Sequence, residues 1–321
     1  MSRLCAIGVD IGGTHTKLGV VDASGIIRHF RKIPTAARGG LAAFLERIFA
    51  EIQHQLELTG PNIAGIGVAM HGHLDQERRG PILCNNTPDL RGIDIKGHLQ
   101  RRFGYPVVIN NDLTAHALAE YRYGSGQGCR RFLCLALGTG LGAGVMVGGE
   151  PVRFIEGTPG DVGRLVLEPT GPEDAYGVRG SAEALCGVPG IERLAKARYG
   201  IAKTAYEVIE AARLGHDPIA IEIMQQIGEY VGQILALVCP IYLPQRIALT
   251  GGTAEAGEVL LAACRKRFLA TLGGYYQRLA ALAPDYYREP EIVVGKLRSE
   301  AGLIGAVVEL FGSLEWATHR C

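Results

Sequence analysis

Residues 5–35 read CAIGVDIGGTHTKLGVVDASGIIRHFRKIPT and contain two glycine turns between apolar runs. Two apolar runs flank the turn Gly12-Gly13-Thr14, and a second turn at 22–25 leads into a third run, which is the pattern of a β-meander. Residues 132–149, FLCLALGTGLGAGVMVGG, repeat the order of apolar strand, glycine turn and apolar strand. Two such units, each followed by helices and further strands, predict a duplicated α/β core.

Apolar residues at three- and four-residue spacing mark the helices of this core. The periodicity predicts helices over residues 41–58, 113–122, 181–199 and 258–272. A short buried strand is predicted at 106–110, and it ends at Asn111-Asp112, directly before a predicted helix. The Asn-Asp pair therefore lies at a strand-to-helix junction.

The length of 321 residues suits two lobes of about 100 to 200 residues each. We expect a two-lobed α/β protein with a duplicated core and a cleft between the lobes. The predicted lobes are residues 1–113 and 114–321. The last helix, about 300–321, is expected to pack back on the N-terminal lobe.

Charge and composition exclude several kinds of partner. Lysine plus arginine number 33 and aspartate plus glutamate 32, so the formal net charge of +1 favours neither nucleic acid nor an anionic membrane surface. The longest apolar stretch, 227–244, is interrupted by polar residues and fails as a membrane span. The eight cysteines contain no C-x-x-C pair, which argues against a disulfide framework. Because the start lacks the features of a secretory signal, we expect a cytoplasmic protein.

Both glycine turns are suited to hold phosphate groups. Backbone N–H groups in such a turn converge on an anion because no Cβ blocks its approach. The turns lie in residues 10–17 and 137–144, and a further pair, Gly251-Gly252, follows a late strand. The chain has no G-x-x-x-x-G-K-[ST] motif, no strict G-x-G-x-x-G after a first strand, and no H-R-D and D-F-G set. P-loop, Rossmann and protein-kinase folds are therefore disfavoured.

Longer motifs extend over nearly the whole chain and match a known family. They are VDIGGTHTKLGVVD from Val9, GIGVAMHGHLD from Gly65, INNDLTAHALAE from Ile109, LGTGLGAGVMVGGE from Leu137, GDVGRL from Gly160, IALTGGTAEAGEVLLAACRKRF from Ile247 and AGLIGAVVEL from Ala301. With these motifs the sequence resembles the ROK family of sugar kinases and sugar-responsive repressors, a branch of the actin-like ATPase superfamily. The resemblance implies an actin-like, ribonuclease H-like fold with ATP and Mg²⁺ at the glycine turns and a sugar in the cleft.

The resemblance also implies roles for individual residues. Asp10 is expected to organise Mg²⁺. The implied nucleotide-binding residues are Gly12, Gly13, Thr14, Thr16, Lys17, Gly138, Thr139, Gly140, Gly142, Gly251 and Gly252. The implied substrate-binding residues are Asn111, Asp161, Arg164, Glu183, Asp89, Gly72 and His73.

Asp112 is the predicted catalytic residue. Phosphoryl transfer to an alcohol needs positioning, charge neutralisation and a carboxylate that accepts the proton of the attacking hydroxyl. Asp112 matches the family's catalytic aspartate. Its place at the start of a helix, where the helix dipole is positive, is expected to favour the ionised form.

The sequence departs from the family at its structural zinc site. Family members carry G-E-x-G-H and then C-x-C-G-x-x-G-C-x-E, whose histidine and three cysteines bind zinc. Here those four positions hold Arg164, Asp174, Tyr176 and Ser181. Because an arginine is a cation where a lone pair is required, we expect no structural zinc.

The same departure leaves the substrate open. Asp161 is one methylene shorter than the glutamate of the family, and Arg164 brings a fixed charge with several donors. Arg164 either binds the substrate directly or pairs internally with Asp161, Asp174 or Glu183, and the internal pair is favoured.

The sequence therefore predicts an ATP-dependent kinase that phosphorylates a hydroxyl of a hexose, with glucose as the default. N-acetylmannosamine, another amino sugar, a cyclitol or an acidic sugar are alternatives, and polyphosphate is an alternative donor. A non-catalytic sugar sensor is disfavoured, because the family's repressors carry a DNA-binding segment before the first glycine turn, which here begins at Gly12. A homo-oligomer, dimer or tetramer, is expected.

Overall fold

The computed structural model describes residues 4–154 and 157–312, which contain both strands and helices. The strands are β1 (Cys5–Ile11), β2 (His15–Asp22), β3 (Ile27–Pro34), β4 (Ile63–Met70), β5 (His73–Leu74), β6 (Pro81–Leu83), β7 (Val107–Asn111), β8 (Arg131–Leu137), β9 (Leu141–Val147), β10 (Glu150–Pro151), β11 (Arg246–Thr250) and β12 (Glu291–Val294). The helices are α1 (Leu41–Thr59), α2 (Ile95–Phe103), α3 (Asp112–Tyr123), α4 (Ala182–Cys186), α5 (Val188–Tyr199), α6 (Ala205–Leu214), α7 (Pro218–Tyr242), α8 (Glu258–Leu282) and α9 (Ala301–Val307).

The first five-stranded sheet has the strand order β3-β2-β1-β4-β7. Strands β1, β2 and β3 form the predicted antiparallel meander, and β1, β4 and β7 run parallel. Because the parallel strands are in register, Ile11 pairs with Met70, and Met70 pairs with Asn111. The carboxyl ends of three strands therefore meet at one edge of the sheet, which brings the residues that follow them together.

The second sheet repeats this plan in the order β10-β9-β8-β11-β12. Strand β8 pairs in parallel with β11, which pairs in parallel with β12. Each sheet thus consists of a three-stranded meander with two further strands added to it. This repetition confirms the predicted duplication of the α/β core.

The chain divides into two compact units, each made of more than one segment. The first contains Met1–Gly128, Gly144–Gly160 and Glu300–Cys321, and the second contains Cys129–Ala143 and Asp161–Ser299. Helix α3 belongs to the first unit, in which it packs against α9. The lobe boundary at 113/114 stays a prediction, as does the part of the last helix beyond residue 312, which lies outside the described residues.

In the first unit, α1 covers the sheet with one apolar face. Phe44, Ile48 and Ile52 recur every four residues and are buried in the same core cluster as Ile7, Val9, Ile66 and Val68 of β1 and β4. Their spacing is that of a helix with one buried stripe, as the sequence predicts.

In the second unit, α7 and α8 pack against each other through glycines. A Cβ at Gly228 would lie 2.4 Å from the carbonyl oxygen of Leu260, so the two helix backbones can approach closely only because the side chain is missing. Helix α8 continues to Leu282, past the predicted end at 272. The Gly273-Gly274 pair does not end it, because Tyr276 beyond the pair is buried and its ring centroid lies 5.9 Å from that of Phe268.

The predicted helix over 181–199 is wrong in one respect, since it is two helices. Helix α4 ends at Cys186 and α5 starts at Val188, with an extended Gly187 between them. Pro189 has no backbone N–H and cannot continue a preceding helix, but it is tolerated in the first turn of α5.

The described cysteines, 5, 84, 129, 134, 186, 239 and 264, are buried and form no disulfide. Burial raises the pKa of Cys186, and it raises the pKa of Cys239 and Cys264 to about 12. Within the described ranges, none of the helices combines the length and the apolar character that crossing a bilayer requires.

The C-terminal segment packs backbone to backbone on the first sheet and on α3. A Cβ at Gly67 of β4 would lie 2.1 Å from the carbonyl oxygen of Ala306, and a Cβ at Gly305 would lie 1.8 Å from that of Ala115. Both distances are far below van der Waals contact, so neither position accepts a side chain without displacing the backbone.

The substitution Gly305→Ala is therefore expected to lower the free energy of unfolding by about 3 kcal/mol, because the methyl group forces α9 away from α3. Chemical denaturation monitored by circular dichroism would measure the change. Gly274→Ala is the matched control: no atom lies within 4 Å of its Cβ position in α8, and alanine there is expected to stabilise the protein by about 0.5 to 1 kcal/mol. Equal stabilities of the two variants would contradict the packing argument.

Candidate active site

The junction of β7 and α3 holds the predicted catalytic aspartate. Asn111 is the N-cap of α3, and its side-chain oxygen accepts the N–H of Leu113 at 2.9 Å. Its side-chain amide donates to the carbonyl oxygen of Gly72 at 2.7 Å, which ties together two predicted substrate-binding residues. Asp112 follows as the first residue of α3, and its carboxylate also accepts the Leu113 N–H, at 3.0 Å. The sequence placed this residue correctly at the strand-to-helix junction.

The electrostatic surroundings of Asp112 differ from the expected ones. Burial raises the pKa of Asp112, and the charge of Asp10 raises it further, whereas His71, His116 and the hydrogen bond from Leu113 act in the opposite direction. The pKa of Asp112 is therefore higher than that of an ordinary aspartate. The sequence predicted that the helix dipole would favour the ionised form, but burial has the larger effect on the pKa. A carboxylate with a raised pKa binds a proton more strongly, which is what a general base requires.

Asp10 lies at the end of β1, beside the first glycine turn. Lys17 of β2 stands opposite it in the antiparallel pair, and its Nζ lies 3.2 Å from the carboxylate. Both side chains are only partly buried. A carboxylate and an ammonium group therefore flank the turn, where they can reach a ligand.

The first glycine turn is shaped by backbone contacts. A Cβ at Gly12 would lie 2.8 Å from the carbonyl oxygen of His15, and Gly13, Thr14 and His15 are exposed. Thr16 is different: its hydroxyl is buried and 2.9 Å from that of Thr35, which donates to the carbonyl oxygen of Gly12. The Thr16 hydroxyl supports the turn from inside, so the predicted phosphate contact cannot come from it.

Loops after β4 and β6 border the same edge of the sheet. Gly72 has a φ of 97° and a Cβ there would lie 2.1 Å from the carbonyl oxygen of Leu83, so glycine is required. His71 lies with one ring nitrogen 3.3 Å from the carbonyl oxygen of Ile11 and the other 3.2 Å from the hydroxyl of Thr87. His71 thus joins the two loops. The predicted substrate-binding residue His73 is half-buried in β5, and its role stays a prediction.

Asp89 is exposed in a short 3-10 helix, Pro88–Leu90, and needs no partner there. Asn86 of the same loop approaches the first glycine turn, since its Cβ lies 2.8 Å from the position of a Cβ on Gly13. The predicted sugar-binding loop and the predicted phosphate turn are therefore neighbours within the first unit.

The second glycine turn connects β8 and β9 in the second unit. Gly138 N–H donates to the carbonyl oxygen of Gly140 at 2.9 Å, Thr139 is exposed, and Gly142 is buried within β9. Gly251 follows the neighbouring strand β11 with a φ of 85°, and its missing side chain allows it to approach the backbone of Leu137. Gly252 is open to its surroundings. The structure thus brings the predicted 138–142 and 251–252 positions to the same end of adjacent strands.

Arg164 lies at the centre of a cluster in the second unit. Its Nε donates to Asp161 at 3.1 Å, its Nη2 to Glu183 at 2.8 Å, and its Nη1 makes a short hydrogen bond with Asp174. The ring of Tyr176 covers the guanidinium group at 4.3 Å. The structure has the internal pairs that the sequence favoured, with all three of the carboxylates that it offered, and the substrate-binding role of Arg164 stays a prediction.

Asp174 is the most buried member of this cluster. Burial alone would raise its pKa, but hydrogen bonds from Ser181, from the backbone N–H groups of Val178 and Tyr176, and from Arg164 hold it at about 2. Burial likewise acts to lower the pKa of Arg164, and the hydrogen bond and charge of Glu183 more than reverse this. Both groups therefore stay charged at neutral pH.

The four residues at the family's zinc positions do not fit a zinc ion. Arg164 has no lone pair to offer, Asp174 already accepts four hydrogen bonds, and the Ser181 hydroxyl is one of its donors at 2.6 Å. Among the described residues, no group of three or more His, Cys, Asp or Glu side chains is arranged to hold a metal ion.

A second charged cluster, which the sequence did not reveal, lies next to Asp112. Asn110 is fully buried, and its side chain contacts Arg78, Arg153 and Glu309 at 2.8 to 2.9 Å. The two oxygens of Glu309 accept from Arg78 and Arg153, each at 2.9 Å. The backbone of Arg78 has a φ of 51°, which is strained for a residue other than glycine. The hydrogen bonds of its side chain therefore also hold the loop between β5 and β6 in this conformation.

These observations define a class of protein: a duplicated α/β protein with two glycine turns and a carboxylate at a strand-to-helix junction. The model of the ROK family matches residues 6–310, and the chain belongs to this family. The predicted fold and family are confirmed.

Individual relatives agree over nearly full length. A glucokinase of Streptomyces coelicolor is 29% identical over 94% of this chain and 95% of its own. An N-acetylmannosamine kinase of Citrobacter koseri is 28% identical over 95% of this chain and 98% of its own. Among solved structures, a ROK family glucokinase from Streptomyces griseus in complex with glucose and AMPPNP superposes with a TM-score of 0.79 at 29% identity, covering 94% of this chain and 97% of that one.

The substitution Glu309→Gln is expected to lower the free energy of unfolding at pH 7 by about 2 kcal/mol, because an amide N–H₂ would face an arginine. The charges of Arg153 and Arg78 and the hydrogen bonds from Asn110 and Arg78 outweigh burial and lower the pKa of Glu309. A lowered pKa gives stability that is present above the unfolded pKa, about 4.3, and is lost as the pH falls through the folded value. The difference between wild type and variant should therefore shrink in acid.

Urea denaturation at pH 7 and at a series of pH values below about 4 would measure this difference. Glu222→Gln is the control, since Glu222 also pairs with an arginine, Arg198, but is 61% exposed. An effect of Glu222→Gln as large as that of Glu309→Gln would show that the cluster has no special weight.

Proposed function

We propose that this protein is an ATP-dependent sugar kinase that transfers the γ-phosphoryl group to a hydroxyl of a neutral hexose, with glucose as the first candidate. The observation that carries the proposal is Asp112, a carboxylate with a raised pKa, fixed at the start of α3 beside a capping asparagine that also binds the loop at Gly72. The similarity to a glucokinase over 94% of the chain supports the same reaction.

In this proposal Asp112 accepts the proton of the attacking hydroxyl. Asn111 and Gly72 border the sugar, and Asn111 keeps the start of α3 in place. The exposed backbone of Gly13 and Thr14, with Lys17 beside it, would hold phosphate oxygens of ATP. The second turn, 138–142, and Gly251-Gly252 of the second unit stay predicted nucleotide-binding positions.

Asp10 fits the predicted place of Mg²⁺. Proteins bind this ion through one or two carboxylates while substrate phosphates and water supply the other ligands, and Asp10 is a partly exposed carboxylate next to the turn. When bound, Mg²⁺ neutralises charge on the phosphate oxygens. Lys17, at 3.2 Å from Asp10, would add a second positive charge on the same side.

The charge of the Arg164 cluster favours a neutral acceptor. One guanidinium faces the three carboxylates of Asp161, Asp174 and Glu183, so the cluster carries a formal charge of −2. A net negative surrounding repels a sugar acid, and each nitrogen of Arg164 already donates to a carboxylate. An N-acetylhexosamine is the second candidate, because the chain is also similar to an N-acetylmannosamine kinase.

A coupled assay of ADP release would test the function, with MgATP against neutral hexoses, N-acetylhexosamines, amino sugars, cyclitols and sugar acids, and with polyphosphate as a second donor. The highest kcat/KM is expected for a neutral hexose and the lowest for sugar acids. Turnover that is highest with a sugar acid would contradict the charge argument. Absence of turnover with every acceptor would favour a sensor. The cytoplasmic location and the homo-oligomer remain part of the proposal.

Asp112→Asn is expected to lower kcat by about 10²- to 10⁴-fold, because an amide cannot accept the proton of the hydroxyl. The fold should be unaffected, since an asparagine can still accept the N–H of Leu113. In the wild type, kcat/KM should fall in acid around a pKa above about 4, the ordinary value for aspartate, because the base must be ionised. Asp285→Asn, at an exposed position, is the control and should keep full activity. A comparable loss there, or near-normal turnover of Asp112→Asn, would remove Asp112 from the mechanism.

A further inference from the structure

We infer that Arg164 is a positioning residue for the second glycine turn: it orients the carboxylate of Glu183, and Glu183 in turn holds the backbone of the turn. The inference concerns the geometry of residues 138–142, and it rests on the proposed function only where it speaks of nucleotide. Residues 138–142, 161–164 and 183 all belong to the second unit.

The two oxygens of Glu183 have different partners. Oε1 accepts from Arg164 Nη2 at 2.8 Å, and Oε2 accepts the backbone N–H of Leu141 at 3.1 Å. A continuous path of hydrogen bonds therefore runs from the guanidinium group to the amide that follows Gly140. Because a charged acceptor strengthens such a bond, the carboxylate of Glu183 holds the Leu141 amide more firmly than a neutral side chain would.

The carboxylate lies directly on the backbone of the turn. A Cβ at Gly140 would be 2.6 Å from Glu183 Oε2, and a Cβ at Gly163 would be 2.5 Å from the carbonyl oxygen of Leu141. Glycine at both positions lets the loop that carries Arg164 and the turn come together with Glu183 between them. A displacement of Glu183 would therefore be transmitted to the turn without an intervening side chain.

Arg164 is itself held on every side. Its remaining nitrogens bind Asp161 and Asp174, and the ring of Tyr176 covers its plane at 4.3 Å. Asp174 is 1% exposed and is fixed by Ser181 at 2.6 Å. A guanidinium bound in this way cannot turn toward a substrate without breaking several charged hydrogen bonds, whereas it can fix the orientation of Glu183.

The experiment compares Arg164→Met and Arg164→Lys with the wild type. The control is Arg179→Met, because Arg179 lies in the same loop and pairs with Glu173, but it is 58% exposed and contacts neither Glu183 nor Asp161 in the described structure. Hydrogen–deuterium exchange of the peptide spanning 137–142 is measured by mass spectrometry without ligand. AMPPNP affinity and the KM for ATP and for glucose are measured in parallel.

Arg164→Met is expected to speed exchange of the 137–142 peptide and to weaken AMPPNP binding, each by about tenfold, the effect of losing one charged hydrogen bond. The KM for ATP should rise more than the KM for glucose. Arg164→Lys keeps the charge but cannot donate to all three carboxylates in the same geometry, so it should show a smaller change in the same direction. If Arg164→Met does not fold, Arg164→Lys serves as the test variant. Arg179→Met should match the wild type.

Unchanged exchange at 137–142 in both Arg164 variants would overturn the inference. So would a rise in the KM for glucose alone, since that result would make Arg164 a substrate ligand. Faster exchange in a protein that phosphorylates no sugar would support the positioning role and remove the proposed function instead. The two failures are therefore distinguishable.

Discussion

The close approach of the C-terminal segment to the first sheet is the constraint on which the first unit depends. At Gly67 and Gly305 the backbones leave no room for even a methyl group. Gly302 of the same helix lies against the carboxylate of Asp10, and Glu309, just beyond it, binds Asn110 two residues before Asp112. One short segment thus lies against Asp10 and binds the strand that leads to Asp112, and the close contact with Asp10 is possible only because Gly302 has no side chain.

The sequence predicted those features that are encoded locally. The glycine turns, the meander of β1 to β3 and the junction at Asn111-Asp112 follow from patterns within a few residues, and the structure has them where they were expected. The long-range features were not predictable in this way. Glu309 lies 199 residues from Asn110 and 231 from Arg78, and no periodicity relates them. Apolar spacing alone does not predict the helix break at Gly187, for which the local signal is Pro189.

The Arg164 cluster lies between the features that are encoded locally and those that depend on long-range contacts. The family resemblance indicates that four positions of a metal site hold other residues here, but it does not indicate what those residues do. The structure shows that Asp174, Tyr176 and Ser181 all contribute to one arrangement around the guanidinium group. A planar cation with five donors can join several loops as a metal ion does, although its directions are set by hydrogen bonds instead of coordination.

The buried thiols have a consequence for the durability of the protein. Oxidants and electrophiles react with the thiolate, and burial keeps Cys186, Cys239 and Cys264 protonated far above neutral pH while it also shields them from solvent. Reaction at these sites requires that the surrounding helices first open. Under oxidative stress, damage to these three cysteines would therefore be limited by the rate of unfolding and not by the concentration of the oxidant.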